Sequence, residues 1–557
     1  MKTVIVGGVA GGASAATRLR RLDESHEIVV LERSGYVSFA NCGLPYYIGG
    51  TIADRRALLL QTPKSLLRRF ALDVRVNSEV TGIDPAARTV TVRDRTDGHE
   101  YTEGYDNLVL SPGASPIVPP IPGVERALTL RTIEDTDRIK EQVDALVAAA
   151  DTGEDAAAPE PQSAVVVGGG FIGLEMAESL RERGLEVTIV ELAPQVMAPL
   201  DPEMAAIVAA ELAAHGVSLA LGVQVTRIDP DTVQLSDGRT LDADLVVMSI
   251  GVRPDTALAT AASLALGPRG GIAVDAQMRT SDPHIYAVGD AVDKSDAVTG
   301  EPTLVPLANS ANRQGRLVAD IIAGRTPTFG GVLGTAIVKV FSLTVAVTGM
   351  NEKRLKASGR AYQGIHTHPG SHAGYYPGAE RISLKLLFDP ATGEILGAQG
   401  VGGTGTDKRI DVIATAITGG IRADQLADLE LAYAPPYGSA KDPVNQLGYV
   451  ADNLMAGSTR TIGWDEIDAT DRFLVDVRSA GEHRHGHIAG SVNLPVDELR
   501  VRHVEIPRGS DGTPQPVAVY CQVGQRGHTA ARLLTQLGYD VVNLDGGWLT
   551  YHLAKAG

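Results

Sequence analysis

Two segments of this chain repeat one pattern, in which an apolar strand runs into a glycine-rich turn, a helix, and a second strand that ends in an acid. In the first copy, residues 4–12 read VIVGGVAGG and the second strand ends at Glu32. In the second copy, residues 164–173 read AVVVGGGFIG and the second strand ends at Glu191. An acid about 20 residues after the glycines is typical of the βαβ unit that binds dinucleotides. The sequence therefore predicts two such domains.

The glycines allow backbone N–H groups at a helix N-terminus to approach a pyrophosphate, whose negative charge the helix dipole favours. We expect Glu32 and Glu191 each to accept hydrogen bonds from a ribose diol, the alternative being that each is a solvated strand end. A carboxylate at Glu191 would repel a 2′-phosphate, so NADH is expected over NADPH. Arg181 and Arg183 lie close in sequence and keep NADPH as an alternative.

Composition excludes several classes of function. The formal net charge of −17 disfavours binding to nucleic acid or to an anionic membrane. No apolar run approaches the ~20 residues of a membrane-spanning helix, and residues 1–7 begin a strand without a secretion signal. Cys42 and Cys521 are the two cysteines, each in its own motif, which favours two separate thiols in a reducing cytoplasm over a disulfide.

At 557 residues the chain is too long for one hydrophobic core, and its patterns divide it into four predicted domains. The acidic, Ala/Pro-rich stretch 151–163 is expected to be an exposed loop before the second βαβ unit. The predicted domains are 1–118 together with 255–328, then 119–254, 329–456 and 457–557.

A third motif indicates which unit holds a flavin. Residues 280–290 read TSDPHIYAVGD and resemble the second FAD motif of the pyridine nucleotide–disulfide reductase family. Residues 107–114 and 245–251 are similar to the strands and turns that return the chain between that family's domains. The resemblance covers about the first 450 residues. It implies FAD in the first domain, with Asp290 on the ribityl chain, a nicotinamide dinucleotide in the second, and a homodimer formed through the third.

The same resemblance implies the residues that contact each nucleotide. Those expected at FAD are Gly7, Gly8, Ala10, Gly11, Glu32, Arg33, Asn41, Val80, Ser111, Gly113, Gly289, Asp290, Pro306 and Ala308. Those expected at NADH are Gly168, Gly170, Ile172, Gly173, Glu191 and Gly251. No metal site is expected.

The redox centre is expected at residues 38–47, which read SFANCGLPYY. Members of the family that resemble glutathione reductase carry two cysteines here, whereas this chain carries Cys42 alone. Because Cys42 cannot form a local disulfide, it is expected to cycle through a mixed disulfide, a persulfide or a sulfenic acid.

The first glycine loop separates the single-cysteine branches of the family. The peroxidase and NADH oxidase branch usually has a histidine there, but residues 7–12 read GGVAGG. This loop and the Cys42 segment are similar to coenzyme A-disulfide reductases, which implies that Cys42 bonds the thiol of coenzyme A. The residues expected to contact coenzyme A are Ser14, Arg18, Arg21, Ser38 and Asn41. For Arg18 and Arg21 the alternative is that they are solvated charges on the helix surface.

The third domain resembles the family's dimerisation domain. Residues 372–378 (HAGYYPG) and 433–443 (YAPPYGSAKDP) look like segments that reach the active site of the other subunit. A tyrosine from each is expected to donate a proton to a departing thiolate. Tyr375 and Tyr433 are the chosen pair, with Tyr376 and Tyr437 as near rivals, and packing at a dimer interface is the alternative reading.

The C-terminal domain closely resembles the rhodanese family through residues 473–479 (FLVDVRS) and 486–495 (GHIAGSVNLP). A strand then delivers Cys521, followed by a short loop with Arg526 and a helix. Inward-pointing N–H groups of such a loop stabilise a thiolate or a persulfide, and Arg526 adds positive charge. We expect an active sulfur carrier.

Together these patterns predict an α/β protein with two Rossmann-like domains of glutathione-reductase type, an α+β dimerisation domain and an α/β rhodanese domain. The expected enzyme passes electrons from NAD(P)H through FAD to coenzyme A disulfide, or to a coenzyme A persulfide or polysulfide, at Cys42. The fused rhodanese domain favours the persulfide. The alternatives are an NADH oxidase with O₂ as acceptor and a non-catalytic sulfur-trafficking or redox-sensing module.

Overall fold

The computed structural model describes residues 1–151, 162–510 and 512–556. They form two compact units, Met1–Pro194 with Gly216–Gly334, and Gln195–His215 with Thr335–Gly557. The exposed loop predicted at 151–163 lies, apart from its ends, outside the described residues.

The first unit contains the first predicted dinucleotide fold as a five-stranded parallel sheet. Its inner strands are mostly apolar and buried, as expected for a parallel sheet covered on both faces, whereas the edge strand Asp73–Arg75 is polar at both ends. In spatial order they are Ile285–Ala287, Asn107–Leu110, Lys2–Val6, Glu27–Leu31 and Asp73–Arg75. The helices Ala10–Leu22 and Ala308–Ile322 pack at close range, because a Cβ on Gly315 would collide with the Gly11 carbonyl oxygen.

The second dinucleotide fold repeats this arrangement in the same unit. In spatial order its parallel strands are Val217–Leu221, Glu186–Glu191, Ser163–Val167, Leu245–Met248 and Leu128–Thr129. The helix Phe171–Glu182 follows the strand Ser163–Val167 directly, so its N-terminus stands at the carboxyl end of the sheet.

Smaller elements connect the two sheets of the first unit. Antiparallel strands lie at Ser78–Asp84, Thr89–Asp94 and Glu100–Gly104, at Val225–Ile228, Thr232–Leu235 and Thr240–Asp242, at Ala114–Pro116 with Val252–Pro254, and at Lys294–Ser295 with Pro302–Thr303. Further helices are Leu44–Gly49, Pro63–Phe70, Ile133–Asp151 and Ala257–Ala261.

The second unit begins with a five-stranded antiparallel sheet. In spatial order its strands are Ala336–Val340, Leu343–Gly349, Ile395–Gly402, Ile382–Phe388 and Gln363–Thr367. The sheet packs in an apolar core with helices Thr406–Gly419 and Pro443–Met455. The helix Pro202–Ala214 groups with this unit, and Glu352–Ser358 is its remaining helix before residue 457.

The C-terminal part of the second unit is a parallel sheet with helices. In spatial order its strands are Thr461–Ile462, Val541–Leu544, Val517–Tyr520, Phe473–Asp476 and Val492–Asn493. Its helices are Ala480–His485, Leu499–Arg502, Gln525–Gln536 and Gly547–Ala556. The predicted fold class is confirmed: two parallel dinucleotide folds, an α+β domain and a C-terminal α/β domain.

Candidate active site

A cavity of about 970 Å³ opens in the first unit at the carboxyl ends of the strands of the first sheet. Most residues predicted to contact FAD line it, together with Cys42. They are Gly7, Ala10, Gly11, Glu32, Arg33, Asn41, Val80, Ser111, Gly113, Gly289, Asp290, Pro306 and Ala308. Gly8 does not line the cavity, but its N–H donates to Glu32 Oε2 at 2.8 Å.

The first glycine turn has a geometry that only glycine allows. Gly7 has a φ of +94°, and a Cβ there would collide with the Ser111 carbonyl oxygen. Glu32 is held at the end of its strand because Oε2 accepts from Gly8 N–H and Oε1 accepts from Ser34 N–H at 2.9 Å. A carboxylate fixed in this way keeps lone pairs free for the hydroxyl groups of a ligand.

Asp290 presents an unsatisfied polar atom to the same cavity. Its buried Oδ1 has no hydrogen-bond partner among the described residues. Burial raises the pKa of the Asp290 carboxyl, and the positive charges of Lys294 and Arg131 oppose that rise. Beside it, Gln314 accepts from Gly289 N–H at 2.8 Å, while its buried Nε2 has no partner in the described part of the chain. Such orphaned groups fit a hydroxyl-bearing ligand such as the ribityl chain of FAD.

Two cations at this site were not found from the sequence. Lys294 Nζ donates to the carbonyl oxygens of Gly289 and Val305 at 2.8 and 2.9 Å. Burial lowers the pKa of Lys294 to about 8, against the attraction of Asp290 and Asp293. Burial also lowers the pKa of Arg131, which lines the cavity. Neither residue belongs to a glycine or strand motif, so no sequence signal marked them.

Cys42 lies on the cavity wall in the short 3₁₀ helix Asn41–Gly43. Desolvation by the surrounding protein raises the pKa of its thiol, and the negative charges of Glu175 and Asp290 raise it further. The thiol form is therefore favoured in the absence of a bound ligand. If a nearby carboxylate takes up a proton and so loses its negative charge, the Cys42 thiolate becomes easier to form.

Glu175 is such a group. It lies on the helix Phe171–Glu182, and its Oε1 accepts a hydrogen bond from Tyr46 Oη at 3.0 Å. Burial, helped by the negative charge of Glu178, raises the pKa of Glu175 to about 7. No sequence motif marked this residue, because the same helix also carries Glu178 and Glu182 and only burial distinguishes Glu175 from an exposed acid such as Glu182.

The second glycine turn has the same construction as the first. Gly168 has a φ of +111°, and a Cβ there would stand 2.5 Å from the Ser249 carbonyl oxygen. Glu191 accepts from Gly169 N–H at 2.7 Å and from Ala193 N–H at 2.8 Å. The predicted residues Gly168, Gly170, Ile172 and Gly173 belong to this turn and helix start, and Gly251 follows the neighbouring strand Leu245–Met248 with a φ of +122°.

Unlike the residues predicted to contact FAD, most of those predicted to bind coenzyme A do not line this cavity. Ser14 Oγ donates to Asn312 at 2.7 Å, and Arg18 pairs with Asp320 at 2.7 Å. Arg21 lies 5.9 Å from the centre of the Phe70 ring. Asn41 lines the cavity, while Ser14, Arg18, Arg21 and Ser38 do not. The coenzyme A contacts stay a prediction.

The two chosen tyrosines of the second unit contact each other. The Oη atoms of Tyr375 and Tyr433 are 2.9 Å apart, and both side chains are exposed. This hydrogen bond raises the pKa of Tyr375. Tyr437 is exposed as well, and Tyr376 meets His372 edge-on. The structure joins the chosen pair, and their role in proton transfer stays a prediction.

Cys521 directly follows the strand Val517–Tyr520 and is 1% exposed. The loop after it enters the helix Gln525–Gln536 through Gly524, which has a φ of +91°. Arg526 does not stand free beside the cysteine, because it forms a two-point ion pair with Glu482 at 2.6 and 2.9 Å. This pair, together with Cys521, raises the pKa of Arg526.

Within residues 1–151, 162–510 and 512–556, no helix is long and apolar enough to cross a membrane. The same residues contain no group of three or more His, Cys, Asp or Glu side chains placed to hold a metal ion.

Three family models match the chain. The model described as "Pyridine nucleotide-disulphide oxidoreductase" matches residues 1–315, and the dimerisation domain of the same family matches 335–443. The model described as "Rhodanese-like domain" matches 460–554.

Individual relatives agree with these models. "Coenzyme A disulfide reductase" of Staphylococcus haemolyticus is 36% identical over 81% of this chain and 100% of that protein. The reduced CoADR-RHD of Bacillus anthracis is 50% identical, with a TM-score of 0.94 over 99% of this chain and 98% of that one. A NAD-dependent persulfide reductase from A. fulgidus is 38% identical, with a TM-score of 0.90 over 99% of this chain and 100% of that one.

Proposed function

We propose that this chain, which belongs to the pyridine nucleotide-disulphide oxidoreductase family, uses NAD(P)H and FAD to reduce coenzyme A disulfide or a coenzyme A persulfide or polysulfide. The observation that carries the proposal is a lone thiol, Cys42, in the wall of a cavity built from the FAD motifs. A relative named for coenzyme A disulfide, which matches 81% of this chain, and one named for persulfide, which matches 99%, support both substrates.

The residues around the cavity fit FAD. Gly7 and Gly11 let the turn pack closely against Ser111 and Val288 at the start of a helix, whose N-terminus would face a pyrophosphate. Glu32 is held where it would accept from a ribose diol, and the unpartnered Oδ1 of Asp290 would accept from a ribityl hydroxyl. When bound, FAD supplies the two-electron chemistry that links a nicotinamide to sulfur. The chain's own part is to hold these groups and to present the Cys42 sulfur, which is exposed.

Cys42 works by thiol–disulfide exchange in this proposal. Its thiolate attacks a substrate sulfur, the S–S bond breaks, and a mixed disulfide with Cys42 forms as a thiolate leaves. Glu175, with a pKa of about 7, takes or returns the proton at neutral pH through its contact with Tyr46. Tyr375 and Tyr433 of the other subunit of a homodimer protonate the departing thiolate, and the dimerisation-domain match supports this assembly.

Two further assignments belong to the proposal. NADH is preferred over NADPH because Glu191 is fixed at the ribose position, and Arg183 is engaged by Asp144 at 2.8 Å. Coenzyme A contacts Asn41 and, outside the cavity, Ser14, Ser38, Arg18 and Arg21. We place the enzyme in the cytoplasm because both cysteines are free thiols with separate proposed roles.

Cys521 carries sulfane sulfur in this account. A plain disulfide reductase has no need for a sulfur carrier, so the fused rhodanese-like domain favours a persulfide as the physiological substrate. Cys521 then passes sulfur to coenzyme A or to Cys42.

Anaerobic stopped-flow mixing of the NADH-reduced enzyme with each substrate tests the proposal. We expect flavin absorbance to return rapidly with coenzyme A persulfide, and Cys42→Ser to abolish that return while Cys521→Ser keeps it. Rapid reoxidation by coenzyme A disulfide and not by the persulfide would defeat the persulfide preference. The oxidase alternative, which the loop without histidine disfavours, requires NADH-dependent oxygen uptake that survives Cys42→Ser.

A further inference from the structure

A buried ion-pair chain in the second unit ends at the turn that supports the Cys521 loop. It starts at Lys385, whose Nζ lies 2.5 Å from Glu203, 2.9 Å from Glu352 and 3.0 Å from Asp201. Lys385 has no solvent exposure, so these three carboxylates offset the free-energy cost of taking its ammonium charge out of water. All four residues precede the rhodanese-like segment 460–554.

His366 continues the chain into that segment. Its Nε2 lies 3.0 Å from Glu203 Oε1, and its Nδ1 lies 2.5 Å from Asp545 Oδ2. Its backbone N–H also donates to Asp545 Oδ1 at 3.0 Å. The His366 and Asp545 side chains are only 5% and 11% exposed. Placement between two carboxylates raises the pKa of His366 to about 9, so the ring is a cation that bridges them at neutral pH.

Asp545 begins a turn that packs directly against the loop after Cys521. Gly546 and Gly547 follow it with φ values of +64° and +66°. A Cβ on Gly547 would stand 2.5 Å from the Cys521 carbonyl oxygen, so the two loops are in backbone contact.

Two hydrogen bonds lock the turn and the loop together. Trp548 N–H donates to the Cys521 carbonyl at 2.8 Å, and Leu549 N–H donates to the Gln522 carbonyl at 3.0 Å. These bonds fix the peptide planes that follow Cys521, and a nest of N–H groups around a sulfur depends on those planes. The position of the 545–549 turn therefore controls the geometry at Cys521.

We propose that His366 is a positioning residue for Cys521, because its ring joins Glu203 to Asp545 and so holds the turn that supports the Cys521 loop. The inference rests on the proposed role of Cys521 as a sulfur carrier. Sulfur transfer by the fused domain then depends on a contact supplied by the strand Gln363–Thr367, which lies outside that domain. Sulfur transfer at Cys521 therefore requires that the part of the chain before residue 460 is folded.

Sulfur transfer from thiosulfate to cyanide in the full-length holoenzyme provides the first test. The Cys521 thiolate takes the outer sulfur of thiosulfate, sulfite leaves, and cyanide removes the sulfur as thiocyanate. We expect Asp545→Asn and His366→Gln each to lower kcat about tenfold with KM within twofold. The double variant should be no worse than either single one, since both remove the same contact. Asp545→Glu should recover part of the loss, and the exposed control Asp497→Asn should match the wild type.

Hydrogen exchange provides a second test that does not depend on sulfur chemistry. In Asp545→Asn, the amides of Trp548 and Leu549 should exchange at least tenfold faster, while those of the strand Val517–Tyr520 stay protected. If the amides of Trp548 and Leu549 exchange at the wild-type rate, or if Asp545→Asn has the wild-type kcat, the positioning role of His366 is overturned. The proposed role of Cys521 as a sulfur carrier would then still stand. A wild type whose sulfur transfer equals that of Cys521→Ser would overturn the proposed sulfur carrier, and the positioning role with it.

Discussion

Replacing Glu175 by Gln removes a buried carboxyl whose pKa is raised from 4.5 to about 7. That shift, at 1.36 kcal/mol per pKa unit, corresponds to at most about 3 kcal/mol of stability lost when the carboxyl ionises in the folded protein. The cost is absent below pH 4.5, where the carboxyl is neutral in both states. It grows between pH 4.5 and 7 as the unfolded chain ionises first, and it is complete above pH 7.

Thermal unfolding of the flavin-free protein at several pH values measures this cost. For a unit of this size, about 3 kcal/mol corresponds to a difference in Tm of roughly 5 °C. We expect Glu175→Gln to melt higher than the wild type by about that amount at pH 8, and the difference to vanish near pH 4.5. Tyr46 Oη still finds an acceptor in the glutamine oxygen, so packing is preserved.

Glu182→Gln is the matched control, because Glu182 is an exposed carboxylate on the same helix. It should leave the Tm unchanged across the pH range. The reasoning is refuted if Glu175→Gln gives the same difference at pH 5 and at pH 8, or lowers the Tm at pH 8.

Three further predictions concern other groups. Asp290→Ala should weaken FAD retention, because it removes the unpartnered Oδ1 at the cavity wall, and the flavin-to-protein absorbance ratio after gel filtration measures this. Glu191→Ala removes a charged hydrogen-bond acceptor at the ribose position, which is worth about 1–3 kcal/mol. It should lower kcat/KM for NADH roughly 5–150-fold and leave kcat/KM for NADPH unchanged, and steady-state kinetics with both cofactors measures this. His366 is protonated in both states well below pH 6.5, and about 3 kcal/mol of its stabilisation is lost between pH 6.5 and 9, because the unfolded chain gives up its proton first. The wild-type melting transition of the second unit should therefore fall as pH rises from 6.5 to 9 and level off above pH 9, and Asp545→Asn should lose that dependence.

The fold was largely predictable because its signals are local. Apolar strands followed by glycine turns and a terminal acid occur twice in the sequence, and both copies form parallel sheets with the glutamate held by backbone N–H groups. The same locality placed Cys42 and Asp290 at one cavity, since each lies in a recognisable motif.

The groups that tune the site were not predictable in the same way. Lys294, Arg131 and Glu175 reach the cavity or Cys42 from separate parts of the chain, and burial rather than motif sets their charge. Arg18, which stays a predicted phosphate contact, pairs with Asp320 on a helix that is distant in sequence and adjacent in the fold. Long-range ion pairs of this kind leave no periodicity to detect.

The single-cysteine mechanism requires that Cys42 store a pair of electrons in addition to those held by the flavin. The direct measurement is an anaerobic NADH titration of holoenzyme that has been treated with coenzyme A disulfide and desalted. We expect the wild type to consume two equivalents of NADH per flavin before the absorbance is fully bleached, one for the mixed disulfide at Cys42 and one for FAD. Cys42→Ser should consume one. Equal consumption by the two proteins would rule out electron storage at Cys42.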